Sequence, residues 1–477
     1  MMRTAAFFIL MALLPVVCLT EPMPQACADS PSLLAVPPAA PQPLPVSNDP
    51  SVTSLVSSRV QSRLEAPMGA GQTPEPVSPP APMPAAPQPL GLDQLEAMAM
   101  ARNPTLAQAS ARVSSMRGNW IQQGLYPNPR LTYKADEIGD DNRAGFQGFS
   151  VAQEIVTKGK LGLARNVAAQ QVQQAEQEYA AQEMRVRNDV KLRFYEVLLA
   201  QRALELNQGM ENISGAAVDA PNNLFKANQV GRNDVLQARV EADIVRLQTV
   251  KARNAHDSAW RRLAAVMGMP ELSPQPLAGD LRQDTAQSSW EEAWARLWSS
   301  SPEMAAAQAK VSAAQWAVRK ACADRCPNYD VEAGYSHDNA TGFDTGGIQV
   351  MIPVPIFNRN QGAIRQANAE LCAAQAEVER VGLDLRNRLA LMYERYSTAL
   401  EFVNRYERDI LPNAKESVDL AASRYQAGES NYTALLIAQR TYLQTQVAYL
   451  EALRELRETS VMIEGLLLSD SLAGTGK

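Results

Sequence analysis

The sequence predicts a mainly α chain with a small β part: long coiled-coil helices, four short strands, and one helix-strand-strand-helix unit present twice. Three observations carry this. Of 31 prolines, 16 lie between Asp29 and Leu90 and only 12 follow Leu90, so the long remainder is almost free of helix breakers. Beyond the proline-rich segment the chain repeats itself with an offset of about 200 residues. Within each copy, two stretches alternate apolar and polar residues with the period of two that a half-buried strand requires.

The chain opens on Met1-Met2-Arg3, a short basic start, and an apolar stretch from Thr4 to Thr20 that is too short to span a bilayer comfortably. Ala26-Cys27-Ala28 then supplies an A-x-A cleavage site, so residues 1–28 read as an export signal. Lipidation at Cys27 or Cys18 needs a small residue before the cysteine and a Leu-like residue three before it. Cys27 has Ala26 but Pro24, and Cys18 has Val17 and Pro15, so the amino terminus of the mature protein decides the matter. Residues 29–90 are Pro, Ala, Ser and Gln with few aromatics, too little apolar surface to offset the cost of ordering. This leader is extended or disordered, and serves as a tether or a docking segment.

The two copies follow as residues 91–280 and 281–468, with a tail at 469–477. Asn103-Pro104 recurs as Ser301-Pro302, each opening an Ala-rich helix that Pro127-Asn128-Pro129 and Pro327-Asn328 close. Phe225-Lys226-Ala227 recurs as Tyr425-Gln426-Ala427, and Pro270 to Pro276 is the boundary between copies. In the first copy Leu131, Tyr133 and Ala135 alternate with Thr132, Lys134 and Asp136. Phe149 and Val151 follow after a Gly/Asp/Asn-rich turn. In the second, Tyr329 to Tyr335 and Ile348 to Ile356 alternate in the same way. The helix from Leu161 to about Asn207 keeps a seven-residue register through Val172, Ala175, Tyr179, Val186, Val190, Val197 and Leu204. At about 1.5 Å per residue it is roughly 70 Å long. Such a helix has no globular core to hide in, and pairs lengthwise with helices such as Asp234 to Met267, Ala363 to Arg408 and Ala414 to Leu468. A plain antiparallel scaffold fits these helices equally well.

Composition excludes several function classes. A net charge of −6 with no Lys/Arg block argues against nucleic acid as a partner. Two His and five Cys are few for a zinc protein and unpatterned for a disulfide framework, so neither metal nor cystines are expected to hold the fold. No P-loop or nucleophile elbow appears, and neither an enzyme nor a cofactor is expected. After the signal, no run of about twenty apolar residues occurs that would make a membrane-spanning helix.

Four strands are too few to close a barrel, and an open sheet leaves unpaired edges. An exported chain solves both problems as a homotrimer, three sets of four strands making a closed twelve-stranded barrel. With an apolar belt outside and a polar lumen, Tyr133, Val331, Tyr335, Val350 and Ile352 would face outer-membrane lipid, and Lys134, Asp136, Glu332 and Gln349 the water. A small soluble sheet capping a helical bundle is the competing arrangement.

Several ordered motifs now carry a resemblance. Leu125-Tyr126-Pro127-Asn128-Pro129, Asp136-Glu137-Ile138-Gly139, Gln153 to Lys160 (QEIVTKGK) and Pro353 to Gly362 (PVPIFNRNQG) resemble the TolC family of outer-membrane efflux proteins, particularly its heavy-metal-efflux branch. The resemblance covers about Leu92 to Leu468. It implies a TolC-like α/β-barrel: a homotrimeric β-barrel in the outer membrane of a Gram-negative-type cell, continued by a helical barrel through the periplasm. It also implies docking with a periplasmic adaptor (membrane fusion) protein and an inner-membrane pump of the RND type, and heavy-metal cations as one possible cargo. The alternatives are a periplasmic coiled-coil scaffold or adaptor without a pore, and a channel for type I protein secretion.

In that family the two helical turnarounds meet the adaptor and form the closed aperture. Here they contain Asn228, Gly231, Arg232 and Asp234 in the first copy, and Gly428, Glu429, Ser430 and Asn431 in the second. Asn228 and Gly428 are residue types that tolerate the left-handed backbone of a sharp reversal. Asp234 matches the family's first-repeat tip acid, and three copies around an axis would favour cations. Helix capping by Asn233 or Asp234 is the plainer account, and the two roles can coexist. Ala434 and Ile437 stand where some members have acids, which argues against a double acidic gate. Cys322 and Cys326, four apart and followed by His337, would suit a soft metal. Two cysteines ending a helix are more often packing residues or, after export, an oxidised pair.

Overall fold

A computed structural model of the chain describes residues 90–139, 145–226, 231–282, 289–427 and 429–473. The signal, the leader with Cys18 and Cys27, and the turn residues Asn228 and Gly428 lie outside the described residues.

The first copy consists of α1 (Leu92–Arg102), α2 (Pro104–Gln123), β1 (Arg130–Asp136), β2 (Phe146–Ile155), α3 (Lys160–Ala217), α4 (Asp219–Lys226) and α5 (Arg232–Val266). The second consists of α6 (Trp290–Ser300), α7 (Pro302–Ala323), β3 (Tyr329–Asp338), β4 (Asp344–Met351), α8 (Gln361–Arg405), a π-turn (Tyr406–Ile410), α9 (Leu411–Gln426) and α10 (Tyr432–Glu464). The Asn-Pro and Ser-Pro starts act as read from sequence. Asn103 Oδ1 accepts the Thr105 N–H at 2.9 Å and Ser301 Oγ that of Met304 at 3.4 Å. Both cap residues hold an extended backbone, which a following proline enforces. The short helices α1 and α6, which end at those same caps, are additions to the sequence reading. Each carries an apolar pair into a core, Leu95 with Ala99 and Ala293 with Leu297.

Helix α3 has 58 residues, about 87 Å at 1.5 Å per residue, and outruns the expected end at Asn207. Gly209 and Gly215 lie on its open face, with nothing within 4 Å of where a Cβ would stand. Each costs only about 1 kcal/mol against alanine. The expected single helix from Ala414 to Leu468 is two helices, α9 and α10, because Asn431 caps a new start between them. It also stops at Glu464, where Leu466 and Leu467 turn to left-handed φ of 56° and 60°.

Two main cores form, and α3 contributes to both, with Ala181 and Leu199 in the second. The first joins Leu95 and Leu106 to Val186, Val190, Phe194 and Leu198 of α3 and to Trp260 and Leu263 of α5. The second joins Leu297 and Met304 to Leu385, Leu389 and Tyr396 of α8, Leu456 of α10, and Leu466 to Leu468. Trp260, 1% exposed, keeps its indole N–H satisfied by the Leu272 carbonyl at 2.8 Å.

The strands form one antiparallel sheet in the order β1-β2-β3-β4. The register aligns Tyr133 with Phe149 and Tyr335, and Gln153 with Val331 and Val350. Leu131, Tyr133, Phe149, Val151, Val331, Ala333, Tyr335, Ile348 and Val350 therefore share one face. Ile352 does not belong to it: β4 ends at Met351, because Pro353 has no N–H for a ladder. The oxidised Cys322–Cys326 pair is also overturned. Cys322 is a free thiol, while Cys326 and Cys372 are each engaged in a disulfide, so cystine has a place in this structure that the cysteine count did not suggest.

Candidate functional site

The residues that the sequence singles out fall in two regions: the sheet with its junction to the helices, and the helical tips. On the sheet's polar face, Arg130 pairs with Asp330 at 2.9 Å and Lys134 with Asp136 at 2.7 Å. Glu332 and Gln349 stand on the same face, opposite each other. This face carries two basic residues, Arg130 and Lys134, against five acidic ones, Asp136, Glu154, Asp330, Glu332 and Asp338. It is also the concave face, a hollow of about 460 Å³ lined by Lys134, Ser150, Glu332, Ser336 and Gln349 among others. Glycine lets β2 and β3 approach closely on this face. A Cβ on Gly148 would stand 2.6 Å from the Tyr335 carbonyl oxygen and 2.7 Å from Ser336 Cβ.

The other face is apolar and bare through its middle, with Leu131 74%, Tyr133 55%, Tyr335 55%, Ile348 80% and Val350 51% exposed, and carries Gln153 toward one end and Gln147, His337 and Asp344 at the other. Burying such side chains gains about 25 cal/mol per Å², so a face like this calls for an apolar surrounding. Among the described residues β1 and β4 each keep one unpaired edge.

Below the sheet, the motif Gln153 to Lys160 is tied to the second copy. Asn328 Nδ2 donates to Glu154 Oε1 at 2.7 Å, its Oδ1 accepts from Lys160 Nζ at 2.8 Å, and Thr157 Oγ1 donates to the Pro327 carbonyl at 2.9 Å. Partial burial lowers the Lys160 ammonium below its ordinary range, against the pull of Asp324 and Glu154. Left-handed residues at both helix starts, Gly159 at φ 64° and Asn360 at φ 59°, make the corner from strand to helix. The motif thus works as a clamp across the duplication, which spacing along the chain could not show.

At the tips, Gly231 has no side chain to cap α5, and Asp234 takes over from the third helical position. Its Oδ2 accepts the Gly231 N–H at 3.2 Å. The carboxylate also faces the positive end of the helix dipole. In the second copy the cap is Asn431, 200 positions after Gly231, accepting the Ala434 N–H at 3.1 Å. Glu429 donates its N–H to the Arg424 carbonyl at 2.9 Å and closes α9. Arg232, Glu429 and Asn431 are exposed, and Ser430 is half-buried.

The two tips come together in one chain. Ala238 packs on Tyr432 and Leu435, Glu241 pairs with Arg440 at 2.5 Å, and the rings of Tyr425 and Tyr432 are 5.6 Å apart. Burial, then the charge of Asp234, raises the Tyr425 phenol above its usual range, so the first tip's acid acts on the second tip. Asp234→Ala is expected to speed amide exchange in the first turn of α5 about fivefold, the equivalent of a cap worth about 1 kcal/mol. Unchanged exchange would remove the acid from the capping role.

The soft-metal trio does not converge. Cys322 is half-buried in α7, while His337 lies eight residues along β3 from Tyr329, about 26 Å at 3.3 Å per residue. There His337 Nδ1 meets Asp344 Oδ1 at 2.7 Å. Among the described residues no group of three or more His, Cys, Asp or Glu is placed to hold a metal ion. No described helix is long and apolar enough to cross a membrane.

The family model "Outer membrane efflux protein" matches residues 95–269 and 295–467, one segment in each copy. The chain is 27% identical over 380 residues to the cobalt-zinc-cadmium resistance protein CzcC of Cupriavidus metallidurans, covering 80% of this chain and 90% of that protein. It is 21% identical over 225 residues to the alkaline protease secretion protein AprF of Pseudomonas aeruginosa, covering 45% and 47%. The crystal structure of the outer membrane protein VceC from Vibrio cholerae superposes with a TM-score of 0.63 at 18% identity, covering 79% of this chain and 96% of that one.

Proposed function

The chain belongs to the outer membrane efflux protein family, and on that premise we propose that it is the outer-membrane channel of a tripartite efflux system, a passive conduit whose strands close as a homotrimeric twelve-stranded barrel. The observation that carries the proposal is the sheet: one face bare with an apolar belt across its middle, the other polar and concave, with an unpaired edge at each end among the described residues. Three such sheets joined edge to edge satisfy every edge and turn the apolar faces to lipid. The helices then extend the lumen into the periplasm, and the tips around Asp234 and Asn431 meet the periplasmic adaptor and, through it, an RND-type inner-membrane pump. That pump supplies the energy, so the chain needs no catalytic centre.

Heavy-metal cations are the proposed cargo. The similarity to CzcC supports this, and so does the acidic excess on the concave face, since a ring of carboxylates favours cations over anions. The purified protein, reconstituted in a planar bilayer, is expected to conduct with cation preference, and Glu332→Gln is expected to move the reversal potential toward zero by removing three lumenal charges. A protein that never conducts and fractionates with the periplasm would instead be a coiled-coil scaffold. Similarity to AprF favours one second reading, protein secretion. A deletion strain that loses metal tolerance and keeps its exported proteins sides with efflux.

A further inference from the structure

The second-copy helix that runs from the sheet to the tip is not uniform. Its upper part, α8, buries Leu385, Leu389, Tyr396 and Val403. At Tyr406–Ile410 it widens to a π-turn, in which the Leu411 N–H reaches back to the Tyr406 carbonyl. Pro412 explains the widening, because a proline ring in an ordinary α-helix would strike the carbonyl four residues earlier, at Arg408. Below the turn, none of residues 411–425 is fully buried. A π-turn followed by a lightly held segment is a place where a helix can bend.

One carboxylate in that turn is held from outside the helix. Glu407 Oε1 accepts from Arg282 Nε at 2.7 Å and from the Tyr449 hydroxyl at 2.6 Å, and Arg282 also reaches its Oε2. Tyr449 packs its ring on Tyr406 at 6.3 Å. Burial, reinforced by Glu407, pushes its phenol well up, so it stays a donor. Arg282 stands at the start of the second copy, on a stretch that is itself fastened: Leu277 is 5% exposed, and Arg457 donates to the Leu281 and Asp280 carbonyls. The hollow beside it, lined by Arg202, Arg282, Tyr449 and Leu450 among others, leaves room for the arginine to move.

We propose that residues 406–412 are a hinge and that the Arg282–Glu407–Tyr449 clamp is its releasable latch, so that letting go of Glu407 frees α9 and the second tip to move against a body that stays fixed. The inference concerns the motion of the arm and does not depend on conduction. Amide hydrogen exchange on the purified full-length protein tests it. Tyr449→Phe and Arg282→Ala are each expected to speed exchange in 411–426 about tenfold, as loss of a hydrogen bond to a charged group should, while 361–400 stays as it was. Arg408→Ala, exposed on the same turn, should change neither segment.

No acceleration in 411–426 with either variant overturns the hinge, and so does equal acceleration through 361–400. Tyr449→Phe keeps the ring in place, and it decides alone if Arg282→Ala fails to fold. A loosened arm in a protein that passes no current supports the hinge and counts against the conduit.

Discussion

Arginine in place of Ile348 is expected to stop the protein from assembling in a membrane, whereas arginine in place of its neighbour Gln349 is expected to be tolerated. The two residues are adjacent in β4 and point to opposite faces, Ile348 alongside Ala333 and Gln349 alongside Glu332. If the apolar face meets lipid, an arginine at the middle of the strand costs about 2–4 kcal/mol per chain, and three chains multiply the loss. The same charge on the concave face meets water and an acidic excess. Refolding into lipid vesicles, read by heat-modifiable mobility on gels, should show Ile348→Arg assembled at least about thirtyfold less than wild type, the lower end of that cost. Equal assembly of both variants would mean that the bare face is covered by something other than lipid.

The second large effect is at the carboxy terminus. Asp189, 7% exposed in α3, accepts the Asp470 N–H at 3.1 Å and the Ser471 N–H at 2.6 Å. Its neighbour Asn188 donates to the Gly465 and Leu468 carbonyls at 2.8 Å and 2.7 Å, and Gln182 donates to Ser471 O at 2.8 Å. These bonds hold a segment that carries strain, since Leu466 and Leu467 both sit at positive φ, at about 1–2 kcal/mol each for a residue with a side chain. Bonds to a charged group are worth about 1.5–3 kcal/mol apiece. Asp189→Ala should therefore cost about 3 kcal/mol and open residues 465–473 about a hundredfold more often, at 1.4 kcal/mol per factor of ten. Carboxypeptidase digestion that removes Leu466 to Leu468 from the variant and stops short of them in wild type would bear this out. Identical digestion would show that the leucine contacts in the second core suffice.

Much of this was legible along the chain wherever the signal was local. Asn103-Pro104 and Ser301-Pro302 announce helix starts because a cap and a proline act within one turn. Tyr133, Tyr335 and Val350 were assignable to one face because a strand alternates strictly. Ile352 failed by the same local logic applied too far, as Pro353 ends the ladder. Capping at the first tip was open to Asn233 or Asp234, and Asp234 fills the role because Gly231 cannot.

What could not be read depended on partners far apart in sequence. Asn328 fastens Glu154 and Lys160 from the other copy, and the Glu407 clamp draws on Arg282 and Tyr449. By itself the sequence determined the duplication, the helices, the two-faced strands and the family resemblance, because period, caps and proline placement are properties of neighbouring residues. Only the tertiary structure decided which polar groups meet across the copies, where the long helix widens at Pro412, and how the tail is held. Those outcomes follow from hydrogen-bond geometry between elements that the chain brings together only on folding.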